Sequence, residues 1–202
     1  MKDFGFYLVI TNPVVGYARC AEAAVRAGVR IVQLRMKHAA REDILREARE
    51  MRRVTRGTDT LFIVNDDPAL AAEAEADGVH VGQDDMSPVE VRAKFPQLKV
   101  VGLSTHNLDQ VRASWEQPID YIGVGPVYVT PTKDIPDPTL GPEMAGRMIA
   151  AARVPAVAIG GINAETLPPV LAAGARNFAV VRAVCQSPDP YSAICKLLEI
   201  HA

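Results

Sequence analysis

A chain of 202 residues is long enough to bury one sizeable core, and 49% hydrophobic with 23% charged residues is the balance of a folded globular protein and excludes a mainly disordered one. The 22 Lys and Arg against 24 Asp and Glu leave a net charge of −2, so no basic field addresses nucleic acid or an anionic membrane; an anionic ligand has to be held by local cations and backbone amides. No uninterrupted apolar run approaches the ~18 residues of a membrane span. The opening MKDFGFYLVITNP lacks the long apolar region and small-residue cleavage site of a signal peptide. Cys20, Cys185 and Cys195 are odd in number and far from any metal-ligand spacing, and are expected to be reduced core thiols of a cytoplasmic protein.

The predicted elements alternate along the chain. Strand 4–11 (FGFYLVIT) precedes helix 17–27, strand 30–35 (RIVQLR) helix 41–56, strand 61–65 (LFIVN) helix 68–76, and strand 78–82 (GVHVG) helix 87–95. Strand 99–104 (KVVGLS) then precedes helix 107–115, strand 121–125 (YIGVG) helix 142–152, strand 156–160 (AVAIG) helix 164–173, and strand 178–181 (FAVV) helix 189–200. The strands are short, rich in Val and Ile and mostly not alternating, as suits strands covered on both faces. Helix 41–56 is expected to bury Ile44, Ala48, Met51 and Thr55. Asp67-Pro68 and Ser87-Pro88 place a cap before Pro at the first helical position, and Gly28, Gly57 and Gly174 fall where helices should stop.

Eight such units of about 25 residues describe an α/β chain closed into a single (β/α)8 TIM-barrel domain over 1–202, smaller than the usual roughly 250 residues. The alternative is a doubly wound open sheet, although no G-x-G-x-x-G follows the first strand. The connection 126–142 (PVYVTPTKDIPDPTLGP) carries five of the 15 prolines. In a barrel it lies on the catalytic face, and is expected to act as a hinged lid over a ligand.

Polar residues gather at the C-terminal ends of the strands, where barrel enzymes keep their active sites. After strand two, alternation puts Gln33, Arg35 and Lys37 on one side, an amide and two cations suited to phosphate oxygens, or else a surface salt bridge. Asn65-Asp66-Asp67 ends strand three and Gln83-Asp84-Asp85 follows strand four, so carboxylates from neighbouring strands can share a hard cation such as Mg2+. Capping of the next helix accounts for Asp67 better than for Asp66 or Asp85. His80 lies mid-strand, either packed in the core or facing a ligand. Ser104-Thr105-His106 invites a nucleophile reading, but nothing in the sequence orients the His, and a hydroxyl that holds phosphate or caps a helix is the better reading. Thr130, Thr132 and Lys133 form an anion clamp or an exposed turn. Gly160 and Gly161 after strand seven, with Val181 and Arg182 after strand eight, occupy the usual phosphate site of this fold; the plainer readings are a tight turn and an outward Arg paired with a helix carboxylate. Two anion zones result, one suited to a diphosphate with a divalent cation and one to a monophosphate. Joining a diphosphate-bearing electrophile to a phosphate-bearing nucleophile is a reaction that needs both.

The motifs Q-L-R-M-K, N-D, G-V-H-V-G-Q-D-D, G-L-S-T-H, G-V-G-P-V-Y-V-T-P-T-K and A-I-G-G-I, spread over about residues 5–183, resemble those of the thiamine phosphate synthase family in order and spacing. The resemblance implies a (β/α)8 transferase that couples hydroxymethylpyrimidine diphosphate to hydroxyethylthiazole phosphate, giving thiamine phosphate and diphosphate. It implies Mg2+ at Asp66 and Asp85, and diphosphate contacts from Arg35, Lys37, Asn65, Ser104 and Lys133. Gln33 and His80 face the pyrimidine in this reading, while Thr130, Thr132, Gly161, Val181 and Arg182 surround the thiazole phosphate. Met36 stands where the family usually has an acidic residue, and Arg182 where it usually has Ser. A related thiazole tautomerase, or a non-catalytic phosphate-binding relative, are the alternatives; the former should not need Lys37, Asp66, Asp85 and T-P-T-K.

Overall fold

The computed structural model describes residues 3–130 and 138–201. Its strands run β1 (Phe6–Ile10), β2 (Ile31–Leu34), β3 (Leu61–Asn65), β4 (Gly78–Val81), β5 (Val100–Thr105), β6 (Tyr121–Val124), β7 (Ala156–Ile159) and β8 (Asn177–Val180). All pair in parallel in sequence order, and Phe6 on β1 pairs with Phe178 on β8, so the sheet closes into a barrel. Closure rules out the open doubly wound sheet.

The apolar runs do not alternate because both faces of each strand are covered. Outward residues such as Leu8, Ile10, Val32 and Leu34 pack under the helices with Cys20, Ala48 and Met51. Inward residues Tyr7, Val9, Ile31, Ile63, Val100, Tyr121, Val157 and Ala179 fill the barrel.

The helices are α1 (Tyr17–Arg26), α2 (Arg41–Thr55), α3 (Pro68–Glu73), α4 (Pro88–Lys94), α5 (Leu108–Ala113), α6 (Gly141–Ala151), α7 (Leu167–Ala172), α8 (Arg182–Cys185) and α9 (Pro190–His201). Their predicted ends hold at several points. Asp67 accepts the Leu70 amide, Ser87 and Glu90 form a reciprocal capping box, and Gly28, Gly57 and Gly174 take positive φ. Other boundaries differ. α3 stops early where Glu75 takes φ +54°, and α5 tightens into a 3-10 turn at Ser114–Glu116. On α2 the buried stripe is Leu45, Ala48, Met51 and Thr55; Ile44 is only partly covered, because the stripe is centred one residue later. α8 leaves no signal in the sequence, four residues being too few to show a period. The three cysteines are free, but only Cys20 and Cys185 are buried, which pushes their thiols up to about 12 and about 11; Cys195 is partly exposed. Among the described residues no helix is long and apolar enough to cross a membrane.

The end of the barrel where strands begin is pinned by a recurring device. Asp77, just before β4, accepts the Phe62 amide of β3 at 2.8 Å and Arg52 at 3.1 Å. Asp120, just before β6, accepts the Val101 amide of β5 at 2.7 Å and Arg92 at 2.6 Å. Asn177 at the start of β8 accepts the Phe4 and Gly5 amides ahead of β1, at 2.7 and 3.0 Å. Asp120→Ala leaves a part-buried amide and guanidinium short of an acceptor and is expected to lower stability by about 1–3 kcal/mol in urea unfolding. Binding at the opposite end of the barrel, where the strands finish, should not change.

The 126–142 connection leaves β6 as expected. Its base is closed by the Leu140 amide on the Pro126 carbonyl and the Gly141 amide on the Val127 carbonyl, both at 2.9 Å. The lid reading falls largely on 131–137, outside the described residues.

Candidate functional site

The C-terminal strand ends open into a cavity of about 460 Å3. Gln33 and Arg35 reach it from β2, Asn65 from β3, His80 from β4 and Ser104 from β5. Thr130 reaches it from the loop after β6, Gly160 and Gly161 from that after β7, and Val181 and Arg182 from that after β8. Thr132 and Lys133 lie outside the described residues.

A hydrogen-bonded chain crosses the cavity floor. Gln33 Nε2 donates to the Tyr7 hydroxyl at 2.6 Å, the Tyr7 and Tyr121 hydroxyls are 2.9 Å apart, Tyr121 meets His80 Nδ1 at 2.9 Å, and His80 Nε2 meets Ser104 Oγ at 2.9 Å. Burial holds both tyrosines above the usual phenol range, so both keep their protons. With Gln33 as donor, Tyr7 donates to Tyr121 and Tyr121 to Nδ1. The His80 proton then sits on Nε2 and goes to Ser104, whose own hydroxyl proton is left for an anionic oxygen. No motif in the sequence marks Tyr7 or Tyr121. Their signal is a Tyr at an inward position of a buried strand, where its hydroxyl must find a partner.

Beside the cavity stands a charged cluster. Lys37 Nζ lies 2.9 Å from Asp66 Oδ2, and Asp85 Oδ2 accepts the Gly82 amide at 2.7 Å. Burial holds the Asp85 carboxyl above its usual range; the Gly82 amide pulls it back, neighbouring Asp66 pushes further up, and Lys37 opposes. Adjacent strands thus bring the two carboxylates together as expected, while Asp67 is a helix cap. Lys37 departs from expectation. β2 ends at Leu34, so alternation does not carry to 37; Arg35 lines the cavity and Lys37 turns to Asp66. Met36 packs against the outer core, on the other side from Arg35.

No group of three or more His, Cys, Asp or Glu side chains gathers among the described residues. Two adjacent carboxylates are a hard donor pair that leaves most coordination positions to water and phosphate oxygens. That fits Mg2+ and does not fit a metal that needs a full protein cage.

After β7, Gly160 takes φ +108° and Gly161 φ +65°. A Cβ on Gly161 would lie 2.7 Å from Tyr128 Cβ and 2.9 Å from the Val129 carbonyl, so the glycines make a tight turn and also let the β6 loop lie on them. Arg182 opens α8 and lines the cavity, and it pairs with no described carboxylate, so the outward ion pair is not what forms. The Ser-x-His reading fails: His106 Nδ1 is 2.6 Å from the Gly125 carbonyl, Ser104 is bonded to His80, and Asn107 caps α5 in place of Ser104.

A family model described as thiamine monophosphate synthase matches residues 6–184. The chain belongs to that family. A thiamine-phosphate synthase of Archaeoglobus fulgidus is 37% identical over 202 residues, covering 99% of this chain and 95% of its own. One from a Synechococcus strain is 45% identical over 179 residues, covering 89% of this chain but 50% of its own, so the chain spans about half the length of several relatives it matches. A thiamine phosphate pyrophosphorylase structure from Pyrococcus furiosus superposes with a TM-score of 0.88 at 28% identity, covering 98% of this chain and 96% of that one. A 3-hexulose-6-phosphate synthase superposes at 0.71 with 19% identity and shares the barrel alone. Within the thiamine monophosphate synthase family, the cavity and the Lys37–Asp66–Asp85 cluster are where the family motifs fall on this chain.

Proposed function

We propose that the chain is a thiamine phosphate synthase, joining hydroxymethylpyrimidine diphosphate to hydroxyethylthiazole phosphate. The observation that carries this reading is the placement of the two anion zones. Arg35, Asn65 and Ser104 enter from β2, β3 and β5, and Gly161 and Arg182 from β7 and β8, on the other side of one cavity. Two phosphorylated substrates can therefore meet over the His80–Tyr121 floor with their charges held apart.

In the reaction the C–O bond to diphosphate breaks with its electron pair leaving on oxygen. The pyrimidine amino group feeds electrons into the cation left behind, and the thiazole nitrogen closes the new C–N bond. No proton is lost or gained, so no general base is needed, in keeping with the absence of a Ser–His nucleophile pair at 104 and 106. Arg35, Lys37 and Ser104, with Lys133 as family resemblance implies, stabilise the leaving charge. Gln33 and His80 orient the pyrimidine, and Thr130, Thr132, the Gly161 amide, Val181 and Arg182 hold the thiazole phosphate. Asp66 and Asp85 would hold Mg2+, which neutralises diphosphate charge when bound. The substrates are small molecules, with neither nucleic acid nor membrane as partner, and free thiols suit a cytoplasmic setting.

The test is incubation with both substrates and Mg2+, omitting each in turn. Thiamine phosphate and diphosphate should form in equal amounts only in the complete mixture. Isomerisation of a thiazole carboxylate phosphate with no coupling would favour the tautomerase reading, and binding of thiazole phosphate without turnover a non-catalytic relative. A second prediction concerns Arg182. Arg182→Ser removes a charged contact of about 1.5 kcal/mol and should raise KM for thiazole phosphate roughly tenfold, leaving KM for the pyrimidine diphosphate unchanged. Two unchanged constants would take Arg182 out of the site.

A further inference from the structure

Gly161 and Ile162, in the loop after β7, line the cavity, and among the described residues the amide of neither has an acceptor. Ile162 is 5% exposed, and a buried amide without an acceptor is rare and costly. Each amide is aimed by the peptide that carries it: the Gly161 N–H by the Gly160–Gly161 peptide, whose Gly160 carbonyl accepts the Tyr128 amide, and the Ile162 N–H by the Gly161–Ile162 peptide. In a trans peptide the carbonyl and the following N–H point in opposite directions, so fixing the Gly161 carbonyl fixes the Ile162 N–H.

The Gly161 carbonyl is fixed by Thr166, whose Oγ1 donates to it at 3.0 Å. Thr166 is the N-cap residue of α7, yet its hydroxyl makes no cap bond to the helix. A Thr at that position ordinarily accepts an amide from the first turn. Here the hydroxyl is turned back into the loop, where it accepts the Asn163 amide at 2.9 Å. Asn163 Oδ1 lies farther off at 3.3 Å and already accepts the Glu165 and Thr166 amides at 2.8 and 3.0 Å, so the single Thr166 proton goes to Gly161.

Tyr128 ties this turn to the loop after β6. Its hydroxyl donates to the Thr166 carbonyl at 3.1 Å, its amide to the Gly160 carbonyl at 3.0 Å, and the Val127 amide to the Ile159 carbonyl at 2.9 Å. Thr130, two residues on, lines the same cavity.

We infer that Thr166 and Tyr128 are positioning residues that latch the two loops and aim the Gly161 and Ile162 amides at the substrate monophosphate. Affinity for the phosphate group therefore depends on these two side chains, and affinity for the thiazole ring does not. The inference rests on the monophosphate reading given under Proposed function.

The test is calorimetric titration of the full chain with hydroxyethylthiazole phosphate and, separately, with hydroxyethylthiazole lacking the phosphate. Thr166→Val should weaken the phosphate ester about tenfold and the alcohol less than about twofold, Thr166→Ser should bind both like the parent, and Tyr128→Phe should weaken the ester about threefold. A merely structural role would lower the melting temperature of Thr166→Val without separating the two ligands. Unchanged ester affinity in Thr166→Val, equal weakening of both ligands, or a Thr166→Ser as weak as the Val variant each overturns the latch. If the parent protein binds the ester no better than the alcohol, the monophosphate reading fails and the latch with it. If the parent discriminates and Thr166→Val still does, the latch alone fails.

Discussion

Replacing Asp85 with alanine is expected to cut kcat/KM by about three orders of magnitude, ~4 kcal/mol of barrier, without unfolding the protein. The side chain stands in the exposed turn after β4, where its one described donor is the Gly82 amide, so little of the core depends on it. Its chemical weight is larger. Asp66 is already committed to Lys37 at 2.9 Å, and Asp85 is the second carboxylate of the pair. Losing it halves the negative charge available to the proposed divalent cation and leaves the proposed diphosphate to Arg35 and Lys37. In the parent protein, EDTA should abolish turnover and added Mg2+ restore it. In Asp85→Ala, restoration should need much higher Mg2+ and remain incomplete. An Asp85→Ala enzyme fully active in EDTA would remove the metal from the mechanism. Circular dichroism and the melting temperature should match the parent, which keeps a kinetic loss distinct from unfolding.

How much of this was legible in the sequence depends on the reach of each signal. The barrel was readable because the strands are largely buried on both faces, and unbroken apolar runs such as FYLVI and AVAI say so locally. The strand-end residues were readable too, since a barrel places any residue after a strand on one face: Gln33, Arg35, Asn65, His80 and Ser104 meet in one cavity although they come from four strands. Direction was not readable. Lys37 follows the end of β2, so period-two reasoning had no strand left to act on, and its partner was set by Asp66 across the next loop. Asp67 and Asp66 are chemically alike, and only the position of Pro68 told cap from ligand candidate. Bonds between distant strands left no local trace. Tyr7 and Tyr121 are 114 residues apart, and neither carries a neighbouring motif. Thr166 falls inside the predicted helix 164–173, and only the three-dimensional turn shows that it precedes α7 with its hydroxyl bonded into the loop.

Gly102→Ala is expected to lower kcat about a hundredfold and stability by about 2 kcal/mol. In the barrel register His80 on β4 lies opposite Gly102 on β5, and Gly102 opposite Tyr121 on β6. His80 and Tyr121 are therefore two strands apart, about 9–10 Å of sheet, and they can touch only because the residue between them has no side chain. A Cβ on Gly102 would overlap Tyr121 Cζ and its hydroxyl oxygen and lie 2.5 Å from His80 Nδ1. Neither ring can swing away freely, since Tyr121 is held by Tyr7 and His80 by Ser104. The methyl must break the His80–Tyr121 bond, release the His80 tautomer and so disturb the Ser104 proton that the proposed mechanism turns to the diphosphate. Gly146→Ala is the control: on α6 its Cβ would press on the Ala173 carbonyl, away from the cavity, so it should destabilise while leaving kcat and KM of the folded enzyme at parent values. Tyr121→Phe removes only the hydroxyl and should reproduce part of the kinetic loss. Because both changes act on one bond, the double variant should lose less than the sum of the two. Parent-like kinetics in folded Gly102→Ala, or full additivity with Tyr121→Phe, would show that the chain across the barrel floor is packing alone and that His80 takes its orientation from elsewhere.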